Sequence, residues 1–295
     1  MMTFELISAT GYRVRFSSPD LEGRIEDCRY LSEAYLPGIK IISQTENQAD
    51  LLIRFQESNE RSLLASDQEV VISDNWGGKV SLDLWHLLYS IIRKDLLSRD
   101  LFSVHAACAG KEKMVLLVGH SGMGKTTAML KMINDFSWKI FSGNKTLVDF
   151  KDGLTAVAGT KTISIKEGDL PKYPKLKHSA VTYSNRTALF LDKEHYEKRD
   201  RVPINTVCLI KVDDGNQQAI ELTYPSNMHA LYPFFLDTVN ADTIVCDGEA
   251  VYSGEVPLFV KERLARQLKC VLSTVKVFNL SGPVEYLAEQ IRSFA

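Results

Sequence analysis

The chain has 295 residues, enough for about two domains, and its 45% hydrophobic and 24% charged residues are typical of a folded protein with a buried core. The 35 Lys and Arg residues against 37 Asp and Glu residues give a net charge of −2. This balance provides no overall field for a nucleic-acid backbone or an anionic membrane, so we expect neither nucleic acid nor membrane among the partners.

The N-terminal segment and the cysteines favour a cytoplasmic location. Met1–Glu5 lacks the basic and apolar regions of a secretory signal, and the densest apolar run, Met114–Val118, is far shorter than the ~20 residues that span a bilayer. The five cysteines are an odd number and include no C-x-x-C pair. This pattern favours reduced, mostly buried thiols over a disulfide framework or a zinc site.

The first hundred residues have the pattern of a small α+β unit. Alternating apolar residues predict short strands over Tyr12–Phe16, Asp50–Phe55 and Glu69–Ser73. After a turn at Asn75–Gly78, apolar residues between 84 and 96 recur at helical spacing, with Ser81 placed to cap the helix. We therefore predict an N-terminal accessory domain over residues 1–100, ending in a charged stretch, and a second domain over 101–295.

The second domain begins with the order strand, loop, helix, strand. Ser103–Cys108 is predicted to be extended, and the apolar run Met114–Val118 is typical of a strand buried on both faces. A glycine-rich loop follows over Gly119–Gly124, then a helix over Thr126–Asn134 and a strand over Trp138–Phe141. This alternation predicts an α/β fold.

The loop carries the strongest functional motif of the sequence. Eight consecutive residues match the P-loop (Walker A) pattern G-x-x-x-x-G-K-[ST]: Gly119, His120, Ser121, Gly122, Met123, Gly124, Lys125 and Thr126. The match directly follows a predicted strand and opens a predicted helix, which is the context such a phosphate site requires. We expect these residues and Thr127 to bind a nucleoside triphosphate.

Each residue type in the motif has a physical reason. Glycines permit positive φ angles and let backbone N–H groups approach phosphate oxygens, and a helix N-terminus favours an anion. Lys125 offsets charge on the β- and γ-phosphates, and the Thr126 hydroxyl suits Mg²⁺, which prefers oxygen ligands. ATP and Mg²⁺ are therefore the expected cofactors. Asn144–Leu147 begins like the guanine-reading N-K-x-D element but lacks its aspartate, and the sequence leaves ATP against GTP open.

The surroundings of the motif resemble the HPr kinase/phosphorylase family, whose P-loop core is akin to that of phosphoenolpyruvate carboxykinase. The similar segments are the His105 strand Ser103–Ala107, the stretch Ile140–Asp149, the strand Gly159–Ile165, and the closing strand Val275–Leu280 with the helix Pro283–Ile291. The resemblance implies a P-loop α/β core and a kinase that transfers the γ-phosphoryl group to a serine hydroxyl. Relatives of this size include kinases of lasso peptide precursors, which implies a peptide natural-product precursor as one acceptor.

The chain departs from this family at one catalytic position. The family's pair of aspartates, which serve the metal and deprotonate the acceptor, would align with Gly143 and Asn144. The Asn144 amide can orient a substrate or a metal-bound water, but it cannot take a proton. The remaining candidates for the base are His105 and Asp149, and Asp149 is also a candidate metal ligand of Walker-B type. Structural roles, as a strand histidine and a turn-capping aspartate, remain open for both.

Two further polar clusters have weaker signals. Asp213 and Asp214 end an apolar stretch before Gly215, where a solvated turn is favoured over a metal site. Basic residues also punctuate a proline-containing segment, either as a lid over phosphates or as a solvated surface loop; they are Lys172, Lys175, Lys177 and His178.

The sequence as a whole predicts an ATP- and Mg²⁺-dependent phosphotransferase that acts on a hydroxyl of a peptide, protein or small molecule. Two alternatives stay open, a nucleotide-binding regulatory protein without turnover and a P-loop NTPase that uses hydrolysis as a switch. The sequence does not specify the acceptor or the oligomeric state. An N-terminal domain that recognises the partner is the corresponding hypothesis for residues 1–100.

Overall fold

The computed structural model describes residues 2–18, 36–43, 48–74, 82–166, 169–183, 186–236, 243–245, 250–252 and 256–294. The chain divides into two compact units. The first comprises Met1–Arg99 and Val239–Pro257, and the second comprises Asp100–Thr238 and Leu258–Ala295. Both contain helices and strands, so the fold is mixed α/β.

The secondary structure elements of the described residues are as follows. The α-helices are α1 (Leu82–Ser98), α2 (Lys125–Phe136), α3 (Ser226–Leu236), α4 (Leu258–Val271) and α5 (Val284–Phe294). The strands are β1 (Met2–Ile7), β2 (Arg13–Ser18), β3 (Lys40–Ser43), β4 (Leu51–Glu57), β5 (Ser62–Ala65), β6 (Glu69–Asp74), β7 (Phe102–Val104), β8 (Ala106–Gly110), β9 (Met114–Val118), β10 (Lys139–Ser142), β11 (Thr146–Asp149), β12 (Thr155–Gly159), β13 (Ile163–Lys166), β14 (His178–Tyr183), β15 (Arg186–Leu191), β16 (Val202–Val212), β17 (Gln218–Glu221), β18 (Thr243–Val245), β19 (Ala250–Tyr252) and β20 (Lys276–Gly282).

The first unit is built on a six-stranded sheet with the order β3-β1-β2-β4-β6-β5. The three strands predicted from alternation correspond to β2, β4 and β6. Alternation puts Leu6 of β1 and Val14 and Phe16 of β2 into the core, where each is fully buried. The predicted helix is confirmed as α1, which buries Leu87 and Leu88. Its predicted cap Ser81 and the predicted turn at 75–78 lie outside the described residues.

One segment late in the sequence also belongs to the first unit. Residues 243–245 and 250–252 form the hairpin β18–β19, in which β18 packs against α1 and β19 lies beside β5. The sequence division at residue 100 assigned these residues to the second domain. No local pattern in so short a hairpin indicates that its partners are more than 140 positions earlier in the chain, so this contact is a tertiary feature.

The second unit contains a nine-stranded sheet. Seven strands follow the order β10-β8-β9-β16-β12-β11-β7, while β20 pairs with β16 and β17 pairs with β20. Strands β9 and β20 are both parallel to β16. Because parallel strands have their carboxyl ends at the same edge, the loops after Val118, Val212 and Gly282 leave the sheet side by side.

Helices α2 and α5 pack against each other and against the central strands of this sheet. The apolar core is continuous with a smaller sheet of order β13-β15-β14. Residues from all of these elements are buried in it, among them Leu117, Met129, Ile133, Ile163, Ile165, Leu189, Cys208, Leu287 and Ile291. The glycine-rich loop is therefore fixed at both ends by buried structure, through β9 before it and through α2 after it.

Three of the five cysteines are described, and all three are free thiols. Cys108 and Cys208 are buried, and Cys270 is exposed. Burial raises the pKa of Cys108 to about 12, so this thiol stays protonated and unreactive. Cys28 and Cys246 lie outside the described residues. In the part of the chain that is described, no helix is long and apolar enough to cross a membrane.

Candidate functional site

The candidate site lies at the carboxyl ends of the parallel strands β9 and β16. The loop that follows β9 is fixed to β16 by its backbone, because the N–H of Val212 donates to the Met123 carbonyl over 2.9 Å. Gly122 and Gly124 have φ angles of +82° and +89°, in the left-handed region that favours glycine. At Gly124 a Cβ atom would lie only 2.3 Å from Val212 Cγ2, so only glycine fits this contact.

The loop ends at the N-terminus of α2. The first backbone hydrogen bond of the helix is the one that the Ala128 N–H donates to the Gly124 carbonyl. The amides of Lys125, Thr126 and Thr127 therefore have no acceptor within the helix. Gly124 provides no side-chain cap, and the first turn carries no acidic residue. Unbonded amides at the positive end of the helix dipole form an anion site.

Lys125 lies beneath the loop with only 8% of its surface exposed. Its ammonium group donates to the carbonyl of Gly119 over 2.6 Å and to that of His120 over 3.1 Å. Burial lowers the pKa of Lys125 to about 8, because desolvation disfavours the charged form. The amine is still mostly protonated at pH 7, and an anion beside it would restore its pKa toward the ordinary value.

A cavity of about 400 Å³ opens in front of the loop and the helix N-terminus. The described residues that line it include three lysines, one histidine and one carboxylate, so their charge favours an anionic ligand. The lining residues are His105, Ser121, Gly122, Gly124, Lys125, Thr126, Thr127, Leu130, Gly143, Asn144, Ser164, Ile165, Lys166, Asp169, Lys172 and Tyr173.

The structure brings most of the sequence-predicted residues to this cavity. His105 reaches it from the bend at which the chain passes from β7, paired with β11, into β8, paired with β9. Asn144 reaches it from the loop between β10 and β11. Three predicted loop residues support the loop instead of lining the cavity. The Gly119 carbonyl and the Met123 backbone make the bonds already described. The His120 ring packs against the Phe234 ring, with centroids 4.8 Å apart and planes tilted by 47°.

Asp149 is the predicted residue that the structure places elsewhere. Its side chain is 2% exposed and pairs with Arg201 over 2.8 Å. Arg201 precedes β16, and roughly 25 Å of extended strand separate it from Leu209, which pairs with Val118 just before the loop. Asp149 is therefore not among the residues that line the cavity, and its roles as metal ligand and base at the loop stay predictions. Its buried oxygens stabilise a strand end through Arg201 and the backbone N–H of Lys151.

The loop at Gly143 and Asn144 has a tightly bonded backbone. The Gly143 N–H donates to the Thr160 carbonyl over 2.8 Å, and the Asn144 N–H donates to the Thr160 hydroxyl over 3.1 Å. A Cβ at position 143 would lie 2.8 Å from the carbonyl oxygen of Thr162, which is backbone and cannot turn aside. An aspartate therefore does not fit at position 143, and the aspartate pair of the resembling family is incompatible with this backbone.

Lys166 and Asp169 are cavity residues that the sequence analysis missed. Of the lining residues that the structure describes, Asp169 alone is a carboxylate, and it pairs with Lys172 over 2.7 Å. A charged segment more than 40 residues after the motif has no local pattern that signals the motif's cavity. The one sequence feature that points to Lys166 and Asp169 is that they lie close in sequence to the basic, proline-containing segment.

That basic segment, residues 171–178, is packed against α2. Tyr173 and Leu176 are buried, and the backbone N–H of Lys175 donates to the Asn134 side chain over 3.1 Å. Burial raises the pKa of Tyr173 to about 12, and its hydroxyl is bonded to Thr127 in the first turn of α2. The segment thus places Lys172 at the cavity, whereas Lys175, Lys177 and His178 do not line it.

Asp213 follows β16 and is part of a turn. Its carboxylate pairs with Lys211 over 2.7 Å and accepts the N–H of Gly215 over 3.0 Å. These bonds lower its pKa, the Lys211 side chain being the largest cause. Neither Asp213 nor Asp214 lines the cavity, in agreement with the turn that the sequence favours.

Comparisons with known proteins add little to this geometry. No family model matches the chain, and no curated protein sequence matches it. The structure is similar to that of the Hpr(Ser) kinase/phosphatase from Coxiella burnetii, with 11% sequence identity over 65% of this chain and 87% of that chain, and a TM-score of 0.30. At this score the likeness carries no argument about activity, which rests on the cavity itself.

Replacing Gly124 with alanine should disrupt the loop more than the same change at Gly153. Both glycines have a positive φ angle, but a Cβ at Gly153 meets no atom within 4 Å. Gly153→Ala should cost about 1–2 kcal/mol of unfolding free energy from strain alone, and Gly124→Ala should cost more and also weaken ATP binding. Urea unfolding and ATP titration measure the two effects. Equal losses of stability with unchanged ATP affinity would contradict the geometry of the loop.

Asp149→Asn should affect stability and leave the binding of Mg-ATP unchanged. The substitution removes the charge that pairs with Arg201, whose side chain is 52% exposed, so a loss of about 1–2 kcal/mol is expected. Chemical unfolding and calorimetric titration with Mg-ATP provide the two readouts. A tenfold loss of Mg-ATP affinity at unchanged stability would instead show that Asp149 contributes to Mg-ATP binding.

Proposed function

We propose that this chain is an ATP- and Mg²⁺-dependent phosphotransferase that moves the γ-phosphoryl group to a serine hydroxyl of a peptide or protein. The observation that carries the proposal is the convergence of the glycine loop, the open amides of α2 and the buried Lys125 on one cavity. These three features supply preorganised positive potential, which is what the transfer of a phosphoryl group requires from a protein.

The triphosphate binds along the loop and the first turn of α2. Backbone N–H groups of the loop and of Lys125, Thr126 and Thr127 contact its oxygens. The Lys125 ammonium exchanges its two carbonyl acceptors for phosphate oxygens, which are stronger acceptors because they are charged. Lys166 and Lys172 add positive charge to the lining of the cavity.

The residues present fit a magnesium ion. The cavity offers the Thr126 and Ser164 hydroxyls, the Asn144 amide oxygen and the Asp169 carboxylate, all of which are oxygen donors of the kind Mg²⁺ prefers. Within the described residues no cluster of three or more His, Cys, Asp or Glu side chains forms a metal cage. Thr126 and one of the other donors would hold the ion together with the phosphates, and a bound ion would neutralise charge on the phosphate oxygens.

In the transfer itself, the acceptor hydroxyl oxygen forms a bond to the γ-phosphorus, and the bond from that phosphorus to the bridging oxygen of ADP breaks. The hydroxyl proton passes to a base, and ADP leaves with the bonding pair. Two cavity groups can accept that proton, the exposed imidazole of His105 and the carboxylate of Asp169. Asn144 orients the acceptor through its amide.

A second function, nucleotide binding without turnover, is favoured by one observation. Among the described residues, one carboxylate lines the cavity, and it already pairs with Lys172. A protein of this kind would bind ATP as a regulatory signal. An NTPase switch is the third possibility, and the following experiment separates all three.

Purified protein is incubated with Mg-ATP labelled at the γ position, alone and with cell extract, beside Lys125→Ala and Lys131→Ala. Lys131 lies on the same helix but pairs with Asp135 and Glu285 outside the cavity, so it is the matched control. We expect label on a peptide or protein, a loss of about 100-fold or more in Lys125→Ala, and no loss in Lys131→Ala. Label released as free phosphate would indicate a switch, and tight binding with neither outcome would indicate a regulator.

Asn144→Asp should raise phosphoryl transfer about tenfold or more, because a carboxylate at this position can accept the hydroxyl proton. Asn144→Ala is the control, since it removes the amide without providing a base. Rates are compared at saturating ATP with the acceptor found above. If both substitutions lower the rate equally, the amide itself is required, and the missing carboxylate does not limit turnover.

A further inference from the structure

Strand β13 borders the cavity with Ser164, Ile165 and Lys166. It pairs with β15 on one side. Within the part of the chain that the structure describes, no strand pairs with its other side, so β13 is an edge strand. Edge strands carry backbone groups that are available to an additional strand.

The register of the small sheet shows which backbone groups face outward. The N–H of Asp192 donates to the Lys177 carbonyl over 2.9 Å, so position 192, and by alternation 190 and 188, bond toward β14. Positions 189 and 187 of β15 therefore bond toward β13, to their partners Ile163 and Ile165. Ser164 and Lys166 consequently direct their N–H and C=O groups away from β15, on the outer edge.

This outer edge is closed at both ends and open in between. At one end the backbone at Gly143 lies close to the Thr162 carbonyl. At the other end the Lys166 carbonyl accepts the N–H of Asp169 over 3.2 Å. The groups between these points are the N–H and C=O of Ser164 and the N–H of Lys166, for which the described residues provide no partner.

The side chains along this edge favour an acidic ligand. Ile163 and Ile165 are buried in the core, so alternation puts Ser164 and Lys166 on the other face. Lys166 is exposed, and Lys172 lines the same cavity. Both lysines complement a negatively charged residue beside the acceptor hydroxyl.

We propose that the acceptor is an extended peptide segment that adds as a strand to the outer edge of β13. The proposal rests on the proposed function and specifies its substrate class. The peptide backbone bonds to Ser164 and Lys166, which brings its serine or threonine side chain to the cavity shared with His105 and Asn144, and an acidic residue of the peptide lies near Lys166. A free hydroxyl compound has no such backbone and is a poor acceptor.

The first test uses the unsubstituted protein with γ-labelled Mg-ATP. The acceptors are decapeptides with a central serine and degenerate flanks that include Asp and Glu, together with free serine and glycerol. In a second set, single backbone N–H groups are methylated in turn. Because strand pairing uses alternate residues, methylation should lower transfer about tenfold at every second position and have a smaller effect between them. Transfer to free serine should be slower than to the peptides.

The second test is the pair Ser164→Pro and Ala180→Pro. Ser164 lies on β13 and Ala180 lies on β14, which are the two edges of the same small sheet. At both positions the N–H points away from β15, so neither proline removes a bond to β15. Only position 164 borders the cavity. Ser164→Ala removes the same hydroxyl but keeps the backbone N–H, so it is the reference for this pair. Relative to Ser164→Ala, Ser164→Pro should raise the KM for the peptides about tenfold at equal ATP affinity. Ala180→Pro should have the KM and the ATP affinity of the unsubstituted protein.

The outcomes separate this inference from the proposed function. Three outcomes would overturn strand addition alone. They are equal transfer by the two proline variants, methylation effects without a two-residue period, and labelling of small hydroxyl compounds but not of peptides. If the unsubstituted protein transfers no more label than Lys125→Ala to any acceptor, the proposed function and this inference are both overturned. If Ser164→Pro unfolds, the methylation series on the unsubstituted protein decides.

Discussion

The contact between the glycine loop and the carboxyl end of β16 positions the loop, the N-terminus of α2 and Lys125 at the cavity. Val212 holds the Met123 carbonyl through its N–H, and its side chain leaves room only for a glycine at position 124. Because α2 starts immediately after Gly124, this contact also determines where the open amides of the helix are directed. The buried packing of α2 against α5 then keeps Lys125 beneath the loop.

The cavity lining outside the loop differs in its chemistry from the loop. Among the described residues it includes hydroxyl, amide and lysine side chains and one carboxylate, Asp169, and Gly143 lies too close to the Thr162 carbonyl to be an aspartate. In the proposed function, phosphate binding therefore depends on backbone amides and lysines, which do not accept a proton from the hydroxyl. The groups proposed to accept that proton are His105 and Asp169.

The loop and its helix could be predicted from the sequence because their determinants are local. An apolar strand, glycines at fixed spacing and a helical pattern lie within about twenty consecutive residues, and the structure gives β9 and α2 at those positions. Asp149 shows the limit of such arguments. It ends an apolar strand as a Walker-B aspartate does, but pairing with Arg201 keeps it away from the loop. Asp169 and the hairpin β18–β19 reach their places through tertiary contacts alone, which no local pattern encodes.

The central claim is that the backbone between residues 119 and 127 holds the triphosphate of a nucleotide. A crystal structure of the full chain with Mg²⁺ and a non-hydrolysable ATP analogue tests it most directly. The account predicts β- and γ-phosphate oxygens within hydrogen-bond distance of the amides of residues 122–127, with the Lys125 ammonium moved from the Gly119 carbonyl to a phosphate oxygen. An analogue bound elsewhere, with Lys125 still on that carbonyl, would contradict it.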